Sequence, residues 1–534
     1  MASSLELPKN ASSVTDVDGY TRFKDVFVPM RDGVRLCADI FLPFATTKEN
    51  VKAPVLASFG PYGKDIHSST FGLPKTDIYH NMYKSIKPQG PDSAFELVDP
   101  ILWTKEYGYA IVRVDTRGTG KSEGRLDVFG LERSAKIQAD AEGQDLYDII
   151  EWIGTQPWNT GKVAMAGISY YGMVGYWAAM QQPPHLTCVL SYESAADMYQ
   201  ASRRGGVYSS NFQGHWFNNI VVPYQRGAQE MSQDQLEANR PLYTAGNWTD
   251  PEIHLPGNIL AYNSMSSKHK WLEMHTGNHL ASFYFPEHVE YEKKFLDYFL
   301  MGKHDNGMLE VPPVRVLVRH GTETYFRNEK SFPPADADDV SLYFTEDQKL
   351  VFDKPSGEPK AFEYEGLQGS VTFDSIPFEE EVEILGSPYL EVEVSTEAED
   401  LDLFLYLRAI DDKGEYVVLP GNHDEPIYSF CRTYWRLSHR DEYSGFLKQR
   451  IVSVAAAPRA SVEKGKTYSV VVPFYPTSYV FDKGYRLQVQ VGSVDEKFCI
   501  PPMRHTGGDR TKERFGGKNV FFSNGRIVFP RVKR

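Results

Sequence analysis

The pattern of apolar runs changes character once along this chain, and that change limits the available folds more than any other feature. Up to about residue 330, short β-rich runs alternate with amphipathic stretches. The runs are PVLASF (54–59), AIVRV (110–114), VAMAG (163–167), TCVLSY (187–192), PLYTAG (241–246) and KWLEMH (270–275), and the amphipathic stretches lie at 136–155, 170–181 and 288–302. Buried strands alternating with helices make a mostly parallel α/β sheet. At SFPPADADD (331–339) the composition turns linker-like, and beyond it the helical period vanishes. Runs such as YLEVEVST, LDLFLYLRAI, TYSVVVPFYP and YRLQVQVGS predict an all-β sandwich or jelly roll. The expected division is therefore an α/β domain over 1–330, with a cap insertion at about 197–239, and a jelly-roll domain over 340–534. A hairpin is predicted around Asp32-Gly33, and a second irregular excursion over 63–105.

Composition excludes several functions. Aromatic residues are 13% of the 534, enough to line an apolar pocket, and the formal net charge of -14 would repel phosphate backbones. Nucleic acid is not an expected partner. No apolar stretch approaches a membrane span, no signal-peptide pattern opens the chain, and Cys37, Cys188, Cys431 and Cys499 form no CxxC pair. The expectation is a cytoplasmic protein with buried thiols, acting on a small molecule; an exposed β domain could pair two copies into a homo-oligomer.

The stretch KVAMAGISYYGMVGYWAA (162–179) carries the chemistry. A strand that turns sharply into a helix can present a nucleophile at the turn, provided small neighbours let strand and helix approach. Ser169 stands at that turn with Gly167 two residues before it. The second glycine is displaced to Gly172, with Tyr171 where a glycine is usual. Ser169 could instead serve only as a helix cap. Its partners favour the nucleophile: an activated serine needs a carboxylate and then a histidine, each at a strand's C-terminal end. Asp250 falls just past PLYTAG and His279 just past KWLEMH. His275, His288 and His304 are less well placed, lying in a strand or around the last helix. Donors for a developing oxyanion are expected from the backbone N–H of Tyr170 and the hydroxyl of Tyr62 in GPYGKD.

The segments GPYGKD, AIVRVDTRGTGKSEG, GKVAMAGISYYG, AGNWTDPEIHLPGNILAY, GNH and PTSYVFDKGYRLQVQVGS together resemble the cocaine-esterase and X-prolyl dipeptidyl-peptidase superfamily of serine hydrolases, from about residue 22 to the end. The resemblance implies an α/β-hydrolase fold with a jelly-roll domain, Ser169 as nucleophile, Asp250 and His279 as its partners, and Tyr62 with Tyr170 as the oxyanion hole. Where the family has G-P-W-x-H before its base, this chain has H-T-G-N-H. A separate N-terminal domain and a dipeptide-amine pocket are not evident, which favours an esterase or acylase.

Two decoys fall away. DTRGTGKS (115–122) puts Asp115 where a phosphate loop needs glycine, and no helix follows it. His275 and His279 are four apart but in a Gly-Asn turn, so no metal or other cofactor is required. The expected function is a serine hydrolase cleaving an ester or amide bond of a small, bulky apolar substrate through an acyl-enzyme. The alternatives are an acyltransferase, cyclase or tailoring enzyme using the same site, or a non-catalytic binding protein.

Overall fold

The computed structural model describes residues 5–69, 71, 86, 90–137, 140–221, 240–443, 445–452, 459–497, 499–500 and 503–533. The latter part of the expected cap, 222–239, and much of the 63–105 excursion lie outside the described residues.

The first half is built on one long sheet. In chain order its strands are β1 (Ser13–Val17), β2 (Tyr20–Pro29), β3 (Arg35–Pro43), β4 (Ala53–Gly60), β5 (Ala110–Asp115), β6 (Asn159–Ile168), β7 (Leu186–Tyr192), β8 (Leu242–Asn247), β9 (Lys270–His275), β10 (Val314–His320) and β11 (Glu323–Glu329). Pairings run β1-β2-β3-β5-β4-β6-β7-β8-β9-β10-β11 across the sheet, parallel from β5 to β10 and antiparallel at both edges. The hairpin around Asp32-Gly33 forms as β2 and β3. Nearly every residue of the central strands is buried, as strands covered on both faces must be. From β4 the chain crosses to β5 on one side, whereas from β6 it crosses to β7 on the other. Loops leaving β4 and β6 therefore diverge and open a crevice at the carboxyl edge, the place where open α/β sheets bind ligands.

Helices α1 (Ala141–Gly154), α2 (Tyr170–Gln181), α3 (Leu255–Ser264) and α4 (Pro286–Phe299) cover the sheet. The stretch 136–155 is not one helix. Asp140 stands in an extended conformation and its carboxylate accepts from the Gly143 N–H, so α1 starts afresh after it, a local cap overriding the longer amphipathic pattern.

The second half is a β-rich domain of antiparallel strands, including Tyr389–Thr396, Asp402–Ile410, Ser429–Arg436, Tyr468–Pro473 and Arg486–Gly492, around its own aromatic core. It is joined to the first half by buried polar contacts. The Arg319 guanidinium, 1% exposed, donates to the Ser478 and Phe430 carbonyls and to Thr477 Oγ1 at 2.7–2.9 Å. Arg432 pairs with Glu252, and the Tyr434 hydroxyl donates to the same carboxylate at 3.2 Å. Removing one member of a buried ion pair leaves the other charge uncompensated. Arg432→Met is expected to lower stability by about 3–5 kcal/mol in denaturant unfolding, and adding Glu252→Gln should recover part of the loss.

Candidate active site

Ser169 is the hinge between β6 and α2. Its φ of 54° and ψ of -119° put a side-chain-bearing residue in a backbone region normally left to glycine. Among the hydrogen bonds that hold the turn are Ser169 N–H to the Tyr192 carbonyl at 2.9 Å, Ile168 N–H to the Glu96 carbonyl at 3.2 Å, and Met173 N–H to the Ser169 carbonyl at 2.8 Å. The structure also explains the displaced glycine. A Cβ on Gly172 would collide with Ser194 Oγ and approach the Gly167 carbonyl, so the close contact of the turn falls at Gly172. Tyr171 fits before it because its own Cβ packs where a side chain on Gly167 would stand and its ring lies against Gly60. Gly172→Ala should cost about 1–3 kcal/mol, read as a lower thermal midpoint.

The imidazole that meets the serine is not the expected one. Ser169 Oγ lies 3.0 Å from His254 Nε2, and His254 Nδ1 lies 2.5 Å from Asp250 Oδ2. Asp250 follows β8, and His254 ends the turn that leads from it into α3, so four residues of one loop bring carboxylate and imidazole together. Burial works against the Asp250 carboxylate, but His254 and the neighbouring imidazoles outweigh it and hold its pKa far below the usual carboxylate range. A hydroxyl, an imidazole and a carboxylate in series can pass the serine proton to the ring while the carboxylate fixes the tautomer.

His279, expected in that role, lies just past β9 and lines the same cavity, its ring stacked on His254 with centroids 5.1 Å apart. Both its nitrogens are engaged by carboxylates the sequence reading did not single out: Nδ1 by Glu193 Oε2 at 2.6 Å and Nε2 by Glu96 Oε1 at 3.3 Å. Burial disfavours its charge, yet Glu193 and then Glu96 lift its pKa well above the ordinary imidazole value. An imidazolium donating from both nitrogens has no lone pair for a serine proton. That is the physical reason the assignment moves to His254. Glu193 directly follows β7 and Glu96 stands in the 63–105 excursion, both with positive φ. Burial raises each carboxyl toward about 7, against the pull of His279.

The expected oxyanion donors belong to residues that line the same cavity as the serine. Tyr62, in the loop after β4, lines the cavity, and the Trp216 indole N–H donates to its hydroxyl at 2.9 Å. Tyr170 begins α2, where main-chain N–H groups lack helical partners. Its phenol is turned into the wall, donating to Glu142 Oε1 at 2.9 Å and accepting from the Phe129 N–H at 3.1 Å.

The cavity is open to solvent, and the space it holds, counted out through its mouth, is about 750 Å³. Phe95, Phe212 and Trp216 from the two excursions supply aromatic walls, and Asn422 and His423 of the β domain close one side. The Asn422 carbonyl accepts from the His279 N–H at 2.9 Å, so the rim is shared between the two halves. Burial lowers the His423 pKa to about 4, leaving it neutral. No helix among the described residues is long and apolar enough to cross a membrane.

Comparison with known proteins agrees with this architecture. Residues 32–240 match the X-Pro dipeptidyl-peptidase (S15 family) and residues 306–526 match the X-Pro dipeptidyl-peptidase C-terminal non-catalytic domain, which together take in most of the chain. The cocaine esterase of Rhodococcus sp. (strain MB1 Bresler) is 33% identical over 186 residues, a match that covers 35% of this chain and only 26% of that protein. A CocE/NonD family hydrolase from Staphylococcus aureus has a similar structure, with a TM-score of 0.81, 25% identity and coverage of 96% of this chain and 94% of that one. An α-amino acid ester hydrolase shares the fold at a TM-score of 0.71 and 16% identity, covering 99% of this chain and 100% of that one. This chain belongs to the cocaine-esterase and X-Pro dipeptidyl-peptidase superfamily of α/β hydrolases.

Proposed function

We propose that the protein is a serine hydrolase that cleaves an ester or amide of a bulky apolar acyl group through an acyl-enzyme. The observation that carries this reading is the series Ser169–His254–Asp250 at hydrogen-bonding distances at the floor of an aromatic-walled cavity.

The Ser169 oxygen attacks the acyl carbonyl while its proton passes to His254 Nε2; Asp250 keeps the Nδ1 proton in place and stabilises the imidazolium. The Tyr170 main-chain N–H and the Tyr62 hydroxyl donate to the oxyanion of the tetrahedral intermediate. As the intermediate collapses, His254 returns its proton to the departing alcohol or amine. Water then repeats the sequence and releases the acid. His279, already an imidazolium, pairs with Glu193 and Glu96 instead of accepting a proton.

The aromatic wall favours acyl groups that are large and flat or branched. In a series of p-nitrophenyl esters, kcat/KM should rise from acetyl to aryl-acyl substrates. A fluorophosphonate probe should add one label per chain, mapping to Ser169 by peptide mass. Labelling elsewhere, or none in folded protein, would defeat the reading.

Asp250→Asn would keep the shape of the loop but supply the wrong hydrogen-bonding group to His254 Nδ1. The expected fall in kcat is about 10⁴-fold, measured on the best ester of that series.

A further inference from the structure

Just past the ends of three neighbouring parallel strands, β7, β8 and β9, stand Glu193, Asp250 and His279, and the turn after Asp250 adds His254. One ligand atom from each of these four buried residues lies within 4.8 Å of the other three. We propose that they form a binding site for a divalent transition-metal ion, with zinc as its natural occupant, and that occupancy switches the serine site off. The second half of this proposal rests on the reading of His254 as the base.

Four-coordinate zinc with nitrogen and oxygen ligands at about 2.0–2.1 Å spaces its donor atoms about 3.4 Å apart. Here His254 Nδ1 to Asp250 Oδ2 is 2.5 Å, His279 Nδ1 to Glu193 Oε2 is 2.6 Å, and His279 Nδ1 to Asp250 Oδ2 is 3.8 Å. To reach that spacing the two hydrogen-bonded pairs must open, and the third close, by less than ~1 Å each. Two imidazoles and two carboxylates are ligands zinc accepts, and the carboxylates balance its charge.

The surroundings are those of a built site. His279 Nε2 faces the Glu96 carboxylate at 3.3 Å, the arrangement that orients a metal-bound imidazole from behind. Glu193 Oε1 accepts from Asn247 Nδ2 at 3.1 Å, fixing the second oxygen of that carboxylate. Asp250 Oδ1 is buried with no hydrogen-bond partner among the described residues, so this carboxylate keeps an unengaged oxygen beside the Oδ2 that faces the two imidazoles. Asp250, His254 and His279 line the cavity, so an ion has a path in.

Binding breaks two N–H bonds: the His279 imidazolium gives its Nδ1 proton to solvent, and the single ring proton of His254 moves from Nδ1 to Nε2 by way of solvent, with no electron transferred. The effect on His254 follows from its tautomer. Metal on Nδ1 leaves the remaining ring proton on Nε2, which then donates to Ser169 Oγ and cannot accept from it. Asp250 is also drawn away from its hydrogen bond.

Full-length protein stripped with a chelator and desalted provides the test, titrated with ZnCl₂ against a chromophoric chelator and separately with CoCl₂ in visible absorption. One zinc per chain should bind with a dissociation constant below about 10 μM, and cobalt should give the intense visible bands of tetrahedral coordination. The double variant Glu193→Gln/His279→Gln should bind zinc at least ~100-fold more weakly, while Ser169→Ala and His320→Ala should bind as before. His320 belongs to a more open group with Glu381 and Asp482, the rival location. Fluorophosphonate labelling should fall with the zinc-binding midpoint and return with chelator.

The proposal is overturned by no stoichiometric zinc on folded protein, by binding that the natively folded double variant retains, or by binding that His320→Ala removes. Should the double variant not fold, a weak six-coordinate cobalt spectrum of the wild type rejects the site. Zinc bound without loss of labelling rejects the switch alone. Stripped protein that never labels defeats the hydrolase reading, and the zinc titration still reports on the metal site.

Discussion

Replacing Ser169 with alanine is expected to lower kcat by about 10⁵–10⁶-fold, because the members of such a unit lose nearly all of its contribution when one is removed. The substitution deletes one oxygen, and the turn that holds it is secured by main-chain bonds to Tyr192, Glu96 and Met173 that alanine retains. Thermal stability should therefore change little and KM should stay within a few-fold, since the cavity wall is untouched. Fluorophosphonate labelling should vanish. A fall of less than about tenfold on a substrate the wild type turns over would remove Ser169 from the chemistry.

The second large effect separates two histidines. His254→Ala should cost about as much as Ser169→Ala, roughly 10⁵-fold in kcat, because it removes the group 3.0 Å from the serine oxygen. His279→Gln keeps a donor beside Glu193 but removes the imidazolium between two buried carboxylates. It should cost far less in kcat, on the order of 10-fold, and act chiefly through stability, since an uncompensated buried charge costs several kcal/mol. Chemical rescue makes the contrast sharper: added imidazole should restore turnover to His254→Ala and not to His279→Gln. The opposite ranking, with His279 the more damaging loss in kcat and the one rescued, would return the base to residue 279.

Local patterns were legible in the sequence where a short stretch decides the geometry. The run Lys162–Ala179 carried both the strand and the helix, and with them the turn at Ser169. Asp250 was legible because strand ends can be read from where an apolar run stops. His254 was not, since spacing alone cannot say whether the turn after Asp250 folds back toward β6; the available signal was a carboxylate and an imidazole four residues apart ahead of α3. Glu193 stood in plain view at the end of TCVLSY, yet its importance depends on β7 lying beside β8, which is a matter of sheet order. Glu96 belongs to an irregular segment with no period to read. The fresh helix start at Ala141 was hidden by a continuous amphipathic pattern that Asp140 interrupts with a single cap.

The rim shared through Asn422, His279, Arg432 and Glu252 bears on how such a protein can be divided. Severed from the β-rich half, the α/β half would lose the carbonyl that braces His279 and the Arg432 guanidinium that pairs with Glu252 in the loop bearing His254. Neither half is then an exchangeable module. Chimeras with a relative's second half should work only when the residues facing 252 and 279 are transplanted with it.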